Sequence, residues 1–527
     1  MRLKFSALML GAAMALVATA ADARAVKWAR AADALTLDPH GQNEGPTITF
    51  NGQVYEALIT RDNANKLVPA LALSWKLVDP TTWEFKLRQN VKFHNGDAFT
   101  ADDVVFSLQR ALQPTSDYKG YLAGTKEVVK VDDLTVQLKT SGPNPLVPDN
   151  LTTVYIMSKK WSEANNATKP QDFKNKEENF AVRNANGTGP FVLVSREPDV
   201  KTVVKRNDAY WGRGESPLEI TELTLTTIKQ DATRVAALLS GEVDVVQDVP
   251  VQDIERLKAS PNLRVTEGPE NRSIFFGFDV GSKELASSDV KGKNPFADVR
   301  VRQAVNIAIN RQAIQRVVMR GQAVPAGSIV GPFVNGYKKE YDNTGPVDVN
   351  KAKGLLAAAG YPNGFSVSLH CPNDRYLNDE AICQASVGML GQIGIKVNLL
   401  SQSKSLHFPA LQNLKSDFYL LGWGVPTYDS DYIFSFLYHT REGTRGGWNA
   451  TRYSNPEADK LIQSLSAETD IAKRNATMTQ IWDKLLADQV YVAIHHQMLA
   501  HAMKNDINVP VRPDNIIFFK DVAFKKS

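Results

Sequence analysis

The feature that most constrains this chain is a change of rhythm near its middle. Before about residue 280 the sequence favours period-two runs closed by turn dipeptides: SWKLV and WEFKL flank Asp79-Pro80, KEVVKVDDLTVQLKT folds back at Asp132-Asp133, and FVLVSREPDVKTVVKR turns at Pro198-Asp199. Alternation interrupted by turn residues predicts antiparallel hairpins. Thr100-Ala101-Asp102-Asp103 sets a capping residue before Val104, Val105, Leu108, Ala111 and Leu112, which predicts a helix start. After residue 280 strands and helices alternate. PFADVRVRQAVNIAINRQAIQRVVMRG predicts one helix from Asp298 to Gly321, then come the helix DVNKAKGLLAAAG, the strand FSVSLHC, the helix NDEAICQASVGMLGQIG, the strand IKVNLL, a helix over LHFPALQNL and the strand DFYLLGW. Long helices over 455–466 and 471–488 and the apolar strand YVAIHH follow. Alternation of this kind predicts an α/β domain.

The N-terminus reads MRLKFSALMLGAAMALVATAADARA: a basic start, an apolar run from Phe5 to Ala20, and small residues suited to cleavage after Ala20 or Ala25. This is the pattern of a cleaved secretory leader, and the run is shorter than the roughly 20 apolar residues of a spanning helix. The mature chain is therefore expected free in the bacterial periplasm, an oxidising compartment, and not embedded in a membrane. Net charge is +4, and two of those four charges belong to the leader, where Arg2, Lys4 and Arg24 face Asp22. Lysine and arginine are interspersed with nearly as many acids, 61 against 57, so nucleic acid is excluded as a partner.

Enzyme signatures are missing. The chain has no G-x-S-x-G, no H-E-x-x-H and no phosphate-binding loop. S-x-x-K occurs at Ser116, Ser288 and Ser401 without a K-T-G partner, and Lys139-Thr140-Ser141-Gly142 misses that motif by one residue. His495 and His496 end an apolar strand on opposite faces and suit a structural role. A secreted hydrolase stays as the contrasting reading; no catalytic residue, cofactor or metal site is expected.

The stretch WEFKLRQNVKFHNGDAFTADDVVFSLQRA resembles the signature of the family 5 extracellular solute-binding proteins, the dipeptide and oligopeptide receptors of bacterial ABC importers. The resemblance continues through GTGPFVLV (187–194), RNDAYWG (206–212), DVRVRQAVNIAINRQAI (298–314), PNDRYLND (372–379), LGWG (421–424) and RYSNPEADKLI (452–462). It implies an α/β two-lobed periplasmic binding protein fold of type II, large and cluster C-like, with an extra small domain inserted in the first lobe. The implied organisation is a leader over 1–25, the base domain of lobe I over 26–58, 188–280 and 500–527, the inserted domain over 59–187, and lobe II over 281–499. The lobes are expected to bend about crossings near Asp279–Gly281 and Leu499–Ala502. Implied partners are a small-molecule ligand, with a short peptide foremost, and ABC permease subunits with cytoplasmic ATPases; the receptor itself is expected to be a monomer. Nickel chelates, haem, sugars and aromatic or opine-like solutes are alternative cargoes.

By the same resemblance Arg375 takes a ligand carboxylate and Asp429, six residues after Trp423, takes an α-ammonium. An arginine fork fits a carboxylate with two charge-assisted hydrogen bonds, and aspartate is acceptor-only. A carboxylate at position 429 also suits a cap for the helix that begins near Tyr432, a role open to Asp431 as well. Tyr376, Trp423 and Gly424 accompany them on the lobe II side, with Tyr428, Tyr432 and Trp448 as further aromatics. Asn43 and Glu44 in the loop His40–Pro46 are the candidates from lobe I, where a plain turn before a helix is the other reading. Cys371 and Cys383 are the only cysteines, and in an oxidising compartment a disulfide between them would tie the end of a strand to the next helix across the loop that carries Arg375. Two buried free thiols are the alternative.

Overall fold

The computed structural model describes residues 24–63 and 66–525. The expected leader therefore lies outside the described residues except for Arg24 and Ala25, which begin the strand Arg24–Arg30. Arg24 forms an ion pair with Asp506 and lies over the Phe524 ring. No helix among the described residues is long and apolar enough to cross a membrane.

An eleven-stranded sheet runs through the molecule. At one end the strands Ile395–Gln402, Phe365–Pro372 and Phe418–Gly424 lie parallel; at the other are Val245–Val246, Arg24–Arg30, Ile220–Thr227, Lys201–Arg206 and Phe191–Glu197. Two long antiparallel strands, Leu263–Phe278 and Tyr491–Lys504, join the halves. Arg272–Phe278 pairs with the strand Phe418–Gly424. Ala502 and Met503 pair with Val245–Val246, while His495–Gln497 pairs with the short strand Ala323–Pro325. Neighbours thus change at a register shift between Pro269 and Ser273 on one strand and between Gln497 and Ala502 on the other. Asp279–Gly281 directly follows the end of the first long strand, and Leu499–Ala502 lies inside the second.

The hairpins form as read. Ala72–Asp79, Thr82–Leu87, Thr135–Thr140 and Thr125–Asp132 make a separate four-stranded antiparallel sheet. Against it packs the helix Ala101–Ala111, whose Thr100 and Asp103 form a reciprocal capping box and whose Val104, Leu108 and Ala111 are buried. A cap of this kind stabilises by about 1 kcal/mol. The helix expected to run from Asp298 to Gly321 instead stops at Ala308. Ile309 is extended, Asn310 caps a new start by accepting from Ala313 N–H, and a π-helical turn over Ile314–Val318 completes the segment. An asparagine inside a helical pattern competes for backbone donors and favours such a restart. Pro409 is accommodated inside the helix Lys404–Gln412.

Candidate functional site

The parallel strands of the second half set the lobe II wall of a cleft. Ligand groups in open α/β sheets gather beyond the carboxyl ends of strands. Here Arg375 follows Phe365–Pro372, Lys404 follows Ile395–Gln402, and Trp423 and Gly424 end Phe418–Gly424. The Arg375 loop is held from below. Asp379 at the head of the helix Asp379–Gly391 accepts the backbone N–H groups of Arg375 (3.0 Å) and Tyr376 (2.9 Å) through Oδ2. The Tyr376 hydroxyl donates to the Gly422 carbonyl at 3.0 Å. Cys371 and Cys383, both buried, are joined by a disulfide, so the loop is closed at its base. Burial pushes the Asp379 carboxyl up to about 7 against the three backbone donors it accepts.

Lobe I supplies the opposing wall from the loop before the helix Gly45–Val54. Asp38 accepts two hydrogen bonds from the buried Arg110 guanidinium, at 2.7 and 2.6 Å. Arg110 also donates to His40 Nδ1 at 3.1 Å, which leaves Nε2–H to donate to the Tyr155 carbonyl at 2.9 Å. Burial and the neighbouring guanidinium hold the His40 ring neutral, its pKa down to about 3. Asn43 N–H donates to Asp117, the Asn43 amide donates to the Tyr432 hydroxyl, and the Tyr121 hydroxyl donates to Asn43 Oδ1. Glu44 is the N-cap: its Oε1 accepts from Thr47 N–H and Thr47 Oγ1–H. A carboxylate at a helix N-terminus is favoured by the backbone dipoles.

The walls meet through charge. Lys404 Nζ donates to Glu44 Oε1 at 3.1 Å and to the Asp33 carbonyl at 2.6 Å. Arg375 Nε lies 3.3 Å from Glu44 Oε2 without hydrogen-bond geometry, so each of these buried atoms lacks a hydrogen-bond partner among the described residues. Burial raises the Glu44 carboxyl, but Lys404 and Arg375 outweigh it and hold the group below its ordinary value. Arg272, on the crossing strand, donates to Glu270 at 2.7 Å. A Cβ on Gly45 would sit 3.2 Å from Arg375 Nη2, and one on Gly424 3.2 Å from Arg272 Nη2; both glycines admit a guanidinium at close range. The cavity walls carry Arg272 and Arg375 against Glu44 and Asp514, with Lys404 behind Glu44 and Glu270 behind Arg272, so three cations meet three carboxylates and the site suits a solute that bears both charges. Beside it Trp423 stacks on Tyr432 (5.6 Å between ring centres) and tilts against Trp448 (5.5 Å), with its indole N–H buried and unpartnered among the described residues.

Asn43, Glu44, Arg375, Tyr376, Trp423 and Gly424 thus line one cavity of about 80 Å³. Asp429 does not. It caps the helix Ser430–Ile433 by accepting from Asp431 N–H, accepts from Asn335, and pairs with the buried Arg474 at 2.5 Å. Reading the sequence missed Arg272 and Lys404. Lys404 was reachable by the rule that exposed Arg375, because it too follows a parallel strand; Arg272 lies inside a strand and left no such signal. Among the described residues no group of three or more His, Cys, Asp or Glu is placed to hold a metal ion.

Comparison with known proteins agrees with this architecture. The model of the bacterial extracellular solute-binding proteins, family 5 Middle, matches residues 66–445. A glutathione-binding protein of Pectobacterium atrosepticum is 28% identical over 497 residues, covering 92% of this chain and 91% of its own length. Heme-binding protein A of Haemophilus influenzae is 29% identical over 472 residues, covering 84% and 80%. The crystal structure of a dipeptide-binding protein from Pseudoalteromonas sp. SM9913 in complex with Met-Leu matches the fold with a TM-score of 0.85 at 24% identity, over 95% of this chain and 100% of that one.

Proposed function

The chain belongs to the bacterial extracellular solute-binding proteins of family 5, and from the cleft it builds we propose that it captures a short peptide between its lobes and delivers it to an ABC permease. The observation that carries this reading is the cluster in which Arg375 and Lys404 share the single carboxylate of Glu44 across the cleft. A peptide carboxylate entering there meets Arg375, with Arg272 and Lys404 adding to the attraction, while Glu44 Oε2 has an acceptor position for an ammonium. Buried charge-assisted bonds of this kind are strong because solvent is excluded. Trp423, Tyr432 and Trp448 offer flat apolar surface for a side chain.

On this reading the leader directs export, the mature chain works as a periplasmic monomer, and the lobes close by bending where the long strands change neighbours, at Pro269–Arg272 and Met498–His501. Closure shifts open forms toward the shape that the permease recognises before its cytoplasmic ATPases act. Titration calorimetry with peptides, amino acids, sugars, haem and nickel–histidine tests the assignment. Peptides with a free C-terminal carboxylate are expected to bind and to lose most of their affinity on C-terminal amidation. Binding of a sugar or a metal chelate with no binding of any peptide would overturn it.

A further inference from the structure

Arg375 and Glu44 approach to 3.3 Å with side chains 7% and 3% exposed, yet neither Arg375 Nε nor Glu44 Oε2 has a hydrogen-bond partner among the described residues. Opposite charges that close, with little solvent to screen them, attract strongly. An arginine locked onto Glu44 would have no fork left for a ligand. The restraint that keeps the two apart is Lys404. Its buried ammonium donates to Glu44 Oε1 at 3.1 Å and to the Asp33 carbonyl at 2.6 Å, and Thr47 donates to the same Oε1 through its backbone N–H and its hydroxyl. Lys404 and Thr47 thus both pull on Oε1 and leave Oε2 open. Each end of the lysine contact is fixed. On the lobe II side Lys404 N–H donates to Asp374 Oδ1 at 2.7 Å, which ties the head of the helix Lys404–Gln412 to the Arg375 loop. On the lobe I side Asp33 is secured by the N–H groups of Ala34 (2.8 Å) and Asp199 (2.9 Å) and by Arg196. Lys404 itself is not a wall of the cleft cavity.

We propose that Lys404 is a positioning residue: by engaging Glu44 Oε1 from behind, it keeps Glu44 off Arg375, so that the arginine stays free for a ligand carboxylate and Glu44 Oε2 for an ammonium. The proposal rests on the peptide reading above and deepens it by assigning a role to a residue that does not meet the solute. Lysine suits the task because an ammonium is a compact point charge that can hold one carboxylate oxygen and leave the other open, whereas a guanidinium fork spans both. Without Lys404, Arg375 is the cation left beside Glu44. The two then pair, and a ligand carboxylate has to displace one built into the protein.

A double-mutant cycle read by calorimetry, with tetra-alanine and the mature full-length protein, tests this. Lys404→Met keeps an unbranched side chain and removes its charge, and it is expected to weaken binding at least about tenfold. In the Glu44→Gln background, where the competing charge is absent, the same replacement is expected to change affinity by no more than about twofold. A lysine needed only for packing would weaken binding equally in both backgrounds. Melting curves establish that the variants are folded, and Lys404→Gln repeats the cycle should Lys404→Met fail to fold; failure of both would assign Lys404 to stability alone and overturn the proposal. Unchanged affinity in a folded Lys404 variant, or equal losses with and without Glu44→Gln, also overturns it. So does complete loss of binding in Glu44→Gln by itself, which would make Glu44 the principal ligand contact and not a competitor for Arg375. Failure of tetra-alanine to bind the unaltered protein overturns the peptide reading, and the role of Lys404 with it.

Discussion

The loop that begins at Asn373 and the loop that follows Gly424 both leave the carboxyl ends of neighbouring strands, and each carries a charged residue that the resemblance assigns to a ligand. They end differently. In the first, the backbone is secured by Asp379 and by the disulfide, which leaves the Arg375 side chain to reach across the cleft to Glu44. In the second, the side chain of Asp429 is itself what secures the turn: it caps a helix, accepts from Asn335 and neutralises Arg474. A charged side chain is available to a ligand when other groups hold its loop in place. Where it holds the loop itself, its hydrogen-bonding capacity is spent on structure.

The strongest way to break this contrast is Asp429→Ala. It leaves Arg474 buried without its carboxylate, and loss of one partner of a buried pair costs about 3–5 kcal/mol of stability. Chemical denaturation should show that loss, while whatever protein remains folded binds peptide with unchanged affinity. Weakened binding at unchanged stability would return Asp429 to the cleft. Arg375→Ala should behave oppositely: removing a buried partner of a ligand carboxylate costs about 2–5 kcal/mol of affinity, with a melting temperature close to that of the unaltered protein.

Paired replacement Cys371→Ser with Cys383→Ser sharpens the comparison, because it loosens only the Arg375 loop. Opening a closed loop of this length lowers stability by about 3 kcal/mol, and affinity should fall with it as the arginine loses its preset position. Equal affinity in the reduced and oxidised proteins would show that the backbone bonds from Asp379 suffice. The effect of Asp379→Asn is read in pH. The folded-state pKa of Asp379 is raised to about 7, whereas in the unfolded chain a carboxyl of this type ionises near pH 4. Between those values the unfolded state releases a proton that the folded state keeps, so this residue makes stability fall as pH rises from about 4 to about 7 and has no further effect above that. Asp379→Asn should flatten that part of the profile; an unchanged slope in the variant would assign it to other groups.

Local chemistry made much of this architecture legible. The turns at Asp79-Pro80, Asp132-Asp133 and Pro198-Asp199, and the box of Thr100 with Asp103, depend on neighbours within a few residues and formed where the sequence placed them. Tertiary context decided the rest. YVAIHH reads as six residues of strand, yet Tyr491–Lys504 continues for fourteen because one edge pairs with Leu263–Phe278 along most of its length, while the other pairs with short strands at His495–Gln497 and Ala502–Met503. Arg375, Tyr376, Trp423 and Gly424 were visible as motif residues beyond strands, and Asn43 and Glu44 as a loop before a helix. Asp429 lies outside the cleft cavity, and its partner Arg474 lies 45 residues away on the helix Ile471–Asp488, so nothing local announces that pair.

The central claim is that Arg375 holds a ligand carboxylate, and a double-mutant cycle between protein and ligand tests it most directly. Tetra-alanine and tetra-alanine amide are titrated into the unaltered protein and into Arg375→Ala. The account predicts that amidation weakens binding to the unaltered protein by at least about tenfold and barely changes binding to the variant, a coupling of about 1.4 kcal/mol or more. An equal loss on amidation in both proteins would place the carboxylate elsewhere and contradict the account.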